Sequence, residues 1–331
     1  MLYYIFHTIG DAFLLTWKID DRLPAGSPQL SELADKALLA FLKTLIELVR
    51  NEEFICNFST AATARLFKRF PTYNVRIGCG LHYGWAIEGA IGSNRKIDAS
   101  YLSPHVNFTE YLEASTKVYE VPLLMSEPFY NMLSEPAKRY CRQVDRVMRN
   151  ESDSSVALYT YDADLSINFA DPSRRKNINV GSRRGSKQRP SPRMSLIRQP
   201  SFRHPNRDNT LASTEDDPRS GSMKHSSALI ASGFAKGAPI IVLPPYTADV
   251  WEADEELLEL RHRVMNTDFR RKWSEGMGHY LERRWPQAAQ CFTRTLEISL
   301  NQDGPSKFLL KLIIDHNYEA PVDWKGYRME G

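Results

Sequence analysis

A basic segment near the middle of the chain sets the strongest limit on how this protein can fold. Residues 172–207 carry eleven Lys or Arg and no Asp or Glu, among many Ser, Pro, Gly and Asn. Such a segment has too little apolar surface to offset the entropy that is lost on ordering. We therefore expect a disordered basic linker over residues 165–245, with folded regions at 1–164 and 246–331.

Three interpretations of this linker are open. Nucleic-acid binding is disfavoured, and no nucleic acid is expected as a partner, because no aromatic residues alternate with the basic ones to stack on bases. The other two are electrostatic contact with an anionic membrane surface and a simple solvated linker. Ser186, preceded by two arginines and a glycine, resembles a site for a basic-directed kinase, where a phosphate would reduce the positive charge.

The composition of the whole chain is that of a globular protein. Of its 331 residues, 42% are hydrophobic and 25% are charged, with 43 Lys and Arg against 40 Asp and Glu. The four cysteines lie far apart without a CxxC pair, which predicts reduced thiols rather than a zinc site or disulfides. No apolar run approaches the roughly 20 residues of a membrane span, and the first residues lack a signal-peptide pattern. We expect a cytoplasmic location, although a longer parent protein could be membrane-anchored.

Hydrophobic periodicity predicts an α+β arrangement before the linker. The predicted strands are two within 1–18, joined at Gly10-Asp11, two within 73–92, and one each at 121–126, 140–149 and 155–162. The predicted helical segments are 28–50, 58–69, 104–118 and 127–137. Five glycines within 73–92 indicate close approach of this backbone to a ligand or a neighbouring element.

Three segments of this region occur in an order and spacing that resemble the catalytic domain of class III nucleotidyl cyclases, the adenylyl and guanylyl cyclases. They are TIGDAF at 8–13, RIGCGLHYG continuing through EGAIGS at 76–93, and the stretch from Asp98 through Asn107 to Glu113. The resemblance covers roughly residues 6–162 and looks most like cyclase domains of ciliates and oomycetes. Each segment alone is a weak signal, but the combination is specific.

The resemblance implies a head-to-tail pair of ferredoxin-like α+β domains, with ATP or GTP bound at their interface. Two acidic residues of one domain would hold two divalent ions, Mg²⁺ or Mn²⁺. These ions activate the ribose hydroxyl and stabilise charge at the α-phosphorus while pyrophosphate leaves. The second cyclase domain would read the purine, orient the ribose and contact phosphate. The implied function is cyclic nucleotide biosynthesis in intracellular signal transduction.

Several site residues follow from the resemblance, position by position. Asp11 matches the second metal carboxylate, and Asn107 matches the asparagine that orients the ribose; their simpler interpretations are a hairpin turn and a first-turn helix residue. His7 and Ser100 take the two base-reading positions and specify neither adenine nor guanine. Asp98 is either a nearby polar contact or a loop aspartate in water.

One departure from the family pattern lies in the predicted helix 104–118. Tyr111 stands where the family has an arginine, and a neutral phenol cannot replace a charge-assisted contact to phosphate. Losing such a contact commonly costs about a hundredfold or more in rate. Arg149, in a region where the family has a phosphate-contacting lysine, either compensates in part or is a solvated surface charge. His82 is expected to be a packed strand histidine rather than a ligand.

A second departure concerns the first metal aspartate of the family. The sequence begins just before the second metal carboxylate, without the strand that carries the first one and the two helices that follow it. That strand lies inside the sheet in the family, so its absence predicts an open apolar edge. We expect a truncated cyclase domain that is inactive alone, whether natural or from an incomplete gene prediction. The alternative is a non-catalytic cyclase-like module that pairs with another cyclase domain and regulates it.

The C-terminal region is predicted to be helical over residues 248–314. Trp273, Gly276, Ala288 and Phe292 are spaced like the small and aromatic positions of a tetratricopeptide repeat. A single repeat generally needs neighbours to bury its apolar face. An ordinary helical hairpin that packs against the cyclase-like region is therefore equally open.

Overall fold

The structure is a computed structural model. It describes residues 4–9, 12–20, 22–24, 26–50, 60–69, 76–93, 96–150, 154–165, 225–232, 246–261 and 265–330. Residues 1–169 and 224–331 belong to one compact unit, so the predicted N-terminal and C-terminal regions fold together. The basic run at 172–207 and the predicted kinase site at Ser186 lie outside the described residues.

A mixed sheet of nine strands runs through the described residues. The strands are β1 (Tyr4–Ile9), β2 (Ala12–Lys18), β3 (Cys79–Ser93), β4 (Lys96–Leu102), β5 (Leu123–Ser126), β6 (Cys141–Met148), β7 (Val156–Tyr161), β8 (His225–Ser232) and β9 (Arg328–Met329). Neighbours follow the order β1-β2-β8-β3-β5-β7-β6-β9, and β4 pairs with β3. The β3–β5 and β6–β9 pairs are parallel, whereas the remaining pairs are antiparallel.

Helices pack against the sheet, and most of the chain after residue 250 is helical. They are α1 (Pro28–Arg50), α2 (Thr60–Arg69), α3 (Pro104–Val118), α4 (Glu127–Met132), α5 (Glu135–Lys138), α6 (Val250–Ala253), α7 (Glu255–Leu260), α8 (Thr267–Leu281), α9 (Trp285–Ile298) and α10 (Gly304–Asp315). The predicted α+β class is confirmed by this mixture of sheet and helices. The finer assignment to a ferredoxin-like cyclase domain stays a prediction.

The first two strands form the hairpin that the sequence predicts. They pair antiparallel, with Ile9 opposite Ala12, which leaves two residues for a tight turn. The turn itself lies outside the described residues. Phe13, Leu14 and Trp17 of β2 are buried, so this strand contributes its apolar side chains to the core.

Strand β8 corrects two predictions. It lies within residues 165–245, expected to be a linker, yet it pairs antiparallel with β2 on one side and β3 on the other. Its sequence, HSSALIAS, contains no Lys, Arg, Asp or Glu, which suits an inner strand. The linker prediction is therefore wrong at residues 225–232. The predicted open apolar edge is also wrong for β2, because β8 occupies that position.

Residues 73–92 differ from the predicted pair of strands. A single strand, β3, runs for 15 residues, and its hairpin partner β4 begins only at Lys96. The glycines do not interrupt β3, because it is paired along its length by β8, β5 and β4. The glycines of this segment thus indicate close packing and not a break between two strands.

Helix α1 supplies the largest share of the core. Its apolar residues recur at three- and four-residue intervals, as predicted, and Leu38, Phe41 and Leu42 are almost completely buried. The rings of Phe41 and Trp17 meet edge-on with centroids 6.2 Å apart. Each such side chain contributes about 1.5–3 kcal/mol of burial free energy.

The chain after residue 245 returns to α1. Asp35 of α1 is fully buried and accepts hydrogen bonds from the Tyr246 hydroxyl at 2.5 Å and from Trp251 Nε1 at 3.1 Å. Lys43 of α1 forms an ion pair of 2.6 Å with Asp254. These contacts attach the start of the C-terminal region to the N-terminal core.

The next three helices pack at the β6 end of the sheet. Trp273 of α8 donates its indole N–H to the Gln143 carbonyl of β6 at 2.8 Å. The Arg142 guanidinium, also from β6, lies buried between Asp162 and Asp303. These contacts favour the interpretation of a helical hairpin that packs on the N-terminal region; the tetratricopeptide likeness stays a prediction.

Length alone does not make α1 a membrane helix. It has 23 residues, but six of them are charged. Among the described residues, no helix is both long enough and apolar enough to cross a bilayer.

Candidate functional site

Helix α3 carries two of the predicted site residues, and glycines of β3 set its position. The helix begins after Ser103, whose hydroxyl accepts a hydrogen bond from the His105 backbone N–H at 3.0 Å. A Cβ added to Gly84 would lie 2.2 Å from the His105 ring, and one on Gly80 would lie 2.5 Å from the Thr109 carbonyl oxygen. Only glycine permits α3 to lie this close to β3. The predicted close approach is confirmed, with α3 as the neighbouring element.

Asn107 and Tyr111 lie one turn apart on α3 and therefore share a face. Asn107 is exposed, and Tyr111 is half-buried. Burial is the main cause that raises the pKa of Tyr111, and Glu330 adds to it. The phenol is neutral at physiological pH, so this position carries no charge of its own.

Arg149, which follows β6, lies beside Tyr111. Its guanidinium carbon is 5.1 Å from the centroid of the Tyr111 ring and 6.0 Å from that of Phe108. Both distances fall in the range of cation–π contacts. The structure therefore brings a positive charge next to the helix position that departs from the family pattern.

A buried chain of polar side chains lies between α3 and the sheet. His82 Nδ1 is 2.6 Å from the Ser126 hydroxyl, and His82 Nε2 is 2.7 Å from His105 Nδ1. Burial is the main cause that lowers the pKa of His82 to about 3, and His105 is the second. His82 is thus a neutral, packed histidine, in agreement with the structural interpretation of this residue.

The remaining predicted residues lie on strands or outside the described part of the chain. His7 is in β1, opposite Leu14 of β2. Asp98 and Ser100 are in β4, where they pair with Ile91 and Gly89 of β3. Asp98 is therefore a strand residue and not the loop residue of the simpler interpretation. Asp11 lies outside the described residues.

The described residues do not fit the paired carboxylates that two Mg²⁺ or Mn²⁺ ions need. Strand β8, at an inner position of the sheet, contains neither Asp nor Glu. Among the residues that the structure describes, the cluster of metal-ligand type is Glu275, His279 and Cys291, in α8 and α9. A thiol and an imidazole are not the oxygen ligands that these hard ions prefer.

Sequence reasoning missed that cluster because it considered only cysteine pairs. The available signal was the four-residue spacing of Glu275 and His279, which places both side chains on one face of a helix. The third member, Cys291, comes from the next helix, so only the pairing of α8 with α9 shows it.

Comparison with known proteins gives a limited result. No protein-family model matches the chain. Over 86 residues, or 26% of the chain, it is 27% identical to a protein named adenylate cyclase from Anabaena cylindrica. The match spans 17% of the length of that protein. This similarity supports a cyclase-related relationship and nothing finer.

Proposed function

We propose that this chain is a class III nucleotidyl cyclase-related protein of cyclic-nucleotide signalling that pairs with a second cyclase domain and forms no cyclic nucleotide alone. The observation that carries the proposal is the neutral phenol of Tyr111, where the resemblance places an arginine. The distant similarity to an adenylate cyclase supports the family part of the proposal.

Asn107 and Tyr111 of α3, with the adjoining Arg149, form the proposed nucleotide half-site. This half-site is suited to binding more than to catalysis. Asn107 is exposed and would orient the ribose of ATP or GTP. Arg149 would supply the nearest charge to phosphate, but its guanidinium lies over two aromatic rings. A stacked guanidinium is less free to make the bidentate contact that stabilises charge on phosphate. We therefore expect nucleotide contact with little acceleration of the reaction.

By the resemblance, Asp11 would be a single metal carboxylate of this chain, and the base would be read at His7 and Ser100, with Asp98 nearby. Because β8 supplies no carboxylate, the full pair of ligands would come from the partner domain. No reaction step through an ion is assigned to the residues of this chain.

A mixing experiment tests the proposal. The partner is a class III adenylyl cyclase domain that keeps both metal carboxylates but lacks its own ribose-orienting asparagine, so it is inactive alone. Native mass spectrometry should detect a one-to-one complex with our chain. The unaltered chain should restore little activity, whereas the Tyr111→Arg variant should restore about a hundredfold more.

Glu110→Arg is the matched control, because Glu110 is an exposed neighbour on the same helix. This variant adds the same side chain at a position that the resemblance does not assign to phosphate. Equal restoration by Glu110→Arg and Tyr111→Arg would contradict the assigned role of position 111. Absence of any complex would contradict pairing.

The second candidate function is that of a cyclase that is active by itself. The proximity of Arg149 to Tyr111 favours it, since the guanidinium places a charge near the position of the absent arginine. Cyclic nucleotide formed from ATP or GTP by the purified chain with Mg²⁺ or Mn²⁺, and lost in Asp11→Asn and Arg149→Ala, would establish this function and refute the proposal.

A further inference from the structure

Helices α8 and α9 bring together three side chains of metal-ligand type, remote in sequence from the proposed nucleotide half-site. Glu275 and His279 are on α8, and Cys291 is on α9. One ligand atom of each (a carboxylate oxygen, a ring nitrogen and Sγ) lies within 4.8 Å of the other two. The helices approach closely here because residue 276 is a glycine. A Cβ added to Gly276 would lie only 2.9 Å from the Cys291 Cβ.

The burial of the three groups differs in a way that suits an ion at the surface of the hairpin. Cys291 is buried, with 6% of its surface exposed, His279 is half-buried, and Glu275 is exposed. The cluster is therefore buried on the side of Cys291 and open to solvent on the side of Glu275. An ion bound there would keep access to water.

A second observation points to a ligand at this place. The Nδ1 atom of His279 is buried and has no hydrogen-bond partner among the described residues. Buried polar atoms of this kind are uncommon, and the binding of an ion is one recognised reason for them. The Nδ1 atom of His279 is therefore available either to coordinate a cation or to carry the proton while Nε2 coordinates it.

The donor set identifies the class of cation. A thiolate, an imidazole and a carboxylate are the ligands of Zn²⁺, and three protein ligands with an open fourth position form a common zinc arrangement. Mg²⁺ and Ca²⁺ prefer sets made only of oxygen.

We propose that Glu275, His279 and Cys291 bind Zn²⁺, with a water molecule as the fourth ligand. Binding removes the thiol proton of Cys291 to solvent, and a zinc–sulfur bond takes its place. The ion would connect α8 to α9 and stabilise the hairpin that packs on β6. This site is independent of the proposed cyclase-related function.

Lys272 is the neighbouring charge that opposes the ion. Its ammonium donates to Glu275 Oε2 at 2.7 Å, which leaves the second carboxylate oxygen for the metal. A positive charge so near the site weakens cation binding. Removing it should therefore strengthen binding, an effect opposite to that of removing a ligand.

Cobalt titration of the reduced full chain tests the site, because tetrahedral Co²⁺ absorbs in the visible range and a thiolate ligand adds charge-transfer absorption in the near ultraviolet. We expect both bands, and Zn²⁺ should abolish them by displacing Co²⁺. Cys291→Ser should remove the charge-transfer band, His279→Gln should weaken Co²⁺ binding more than about tenfold, and Lys272→Gln should tighten it.

Cys141→Ser is the matched control, since Cys141 is a half-buried thiol of β6 outside the cluster. It should keep both bands. Far-ultraviolet circular dichroism identifies any variant that fails to fold, and Lys272→Gln with His279→Gln then decides the outcome without Cys291→Ser. No Co²⁺ bands in the unaltered chain, or a charge-transfer band that survives Cys291→Ser, would overturn the proposal.

Discussion

The α3 surface and the β6 end of the sheet are built in opposite ways. The α3 surface, formed by Asn107, Tyr111 and the adjoining Arg149, rests on glycines and neutral histidines and remains accessible. The β6 end is covered by the C-terminal helices and holds charged groups in its interior. The first depends on steric fit and the second on charge compensation.

Asp145 of β6 illustrates the second kind of region. It is fully buried and accepts hydrogen bonds from the Tyr119 hydroxyl at 2.6 Å, Arg328 Nε at 3.1 Å and the Tyr280 hydroxyl at 3.3 Å. Burial raises the pKa of Asp145, and Arg328 is the main opposing influence. One carboxylate thus joins the end of α3, helix α8 and strand β9, so the C-terminal region completes this part of the core.

The comparison predicts the largest stability loss at the β6 end. Arg142→Ala would leave the buried carboxylates of Asp162 and Asp303 without their shared cation, and it would also remove the guanidinium 4.3 Å from the Trp273 ring. We expect a loss of about 3–5 kcal/mol, measured by urea unfolding. Arg294→Ala, which removes an exposed arginine paired with Glu297, should cost less than about 1 kcal/mol. Equal losses would contradict the role of buried charge.

Acid should destabilise the fold through His82, which lies under α3. The pKa of His82 is about 3 in the folded chain against an ordinary value of 6.5, so the unfolded chain takes up a proton first as the pH falls. Neutral His82 therefore costs no stability above pH 6.5. Between pH 6.5 and pH 3 this residue lowers the free energy of unfolding by about 1.4 kcal/mol per pH unit. Urea midpoints of the unaltered chain and His82→Gln between pH 7 and pH 4 measure this slope. Parallel curves for the two proteins would contradict it.

Steric fit under α3 predicts a cost for a single methyl group. Gly84→Ala would place a Cβ 2.2 Å from the His105 ring and push α3 away from β3, at a cost of about 1–3 kcal/mol. Gly89→Ala is the matched control in the same strand, because no atom lies within 4 Å of its added Cβ. Thermal unfolding of both variants tests the fit, and similar midpoints would refute it.

The smallest effect is expected where Arg149 meets Tyr111. A double-mutant cycle with Arg149→Ala and Tyr111→Leu should give a coupling free energy of about 0.5–1 kcal/mol, because the guanidinium lies over a half-buried ring. Urea unfolding of the four proteins measures it. A coupling indistinguishable from zero would mean that the charge at the α3 surface is not held by this contact.

Much of the fold near the α3 surface was predictable, because its signals are local. The hairpin of β1 and β2 follows from β-branched and aromatic residues around a Gly-Asp pair, and helices α1 and α3 follow from three- and four-residue periodicity and a proline at a helix start. The candidate site was predictable only as a set of positions. The contact between Tyr111 and Arg149 depends on how the end of β6 lies against α3, and no local pattern encodes that.

The sequence by itself determined the α+β class, the principal helices and the uncharged position at Tyr111, since each depends on neighbouring residues or on the chemistry of one side chain. Only the tertiary structure decided that β8 enters the sheet, that Arg142 meets Asp303 across 161 residues, and that Cys291 meets His279. The physical reason is that charge compensation, inner-strand pairing and metal-ligand geometry arise between segments far apart in the chain, where periodicity carries no information about distance.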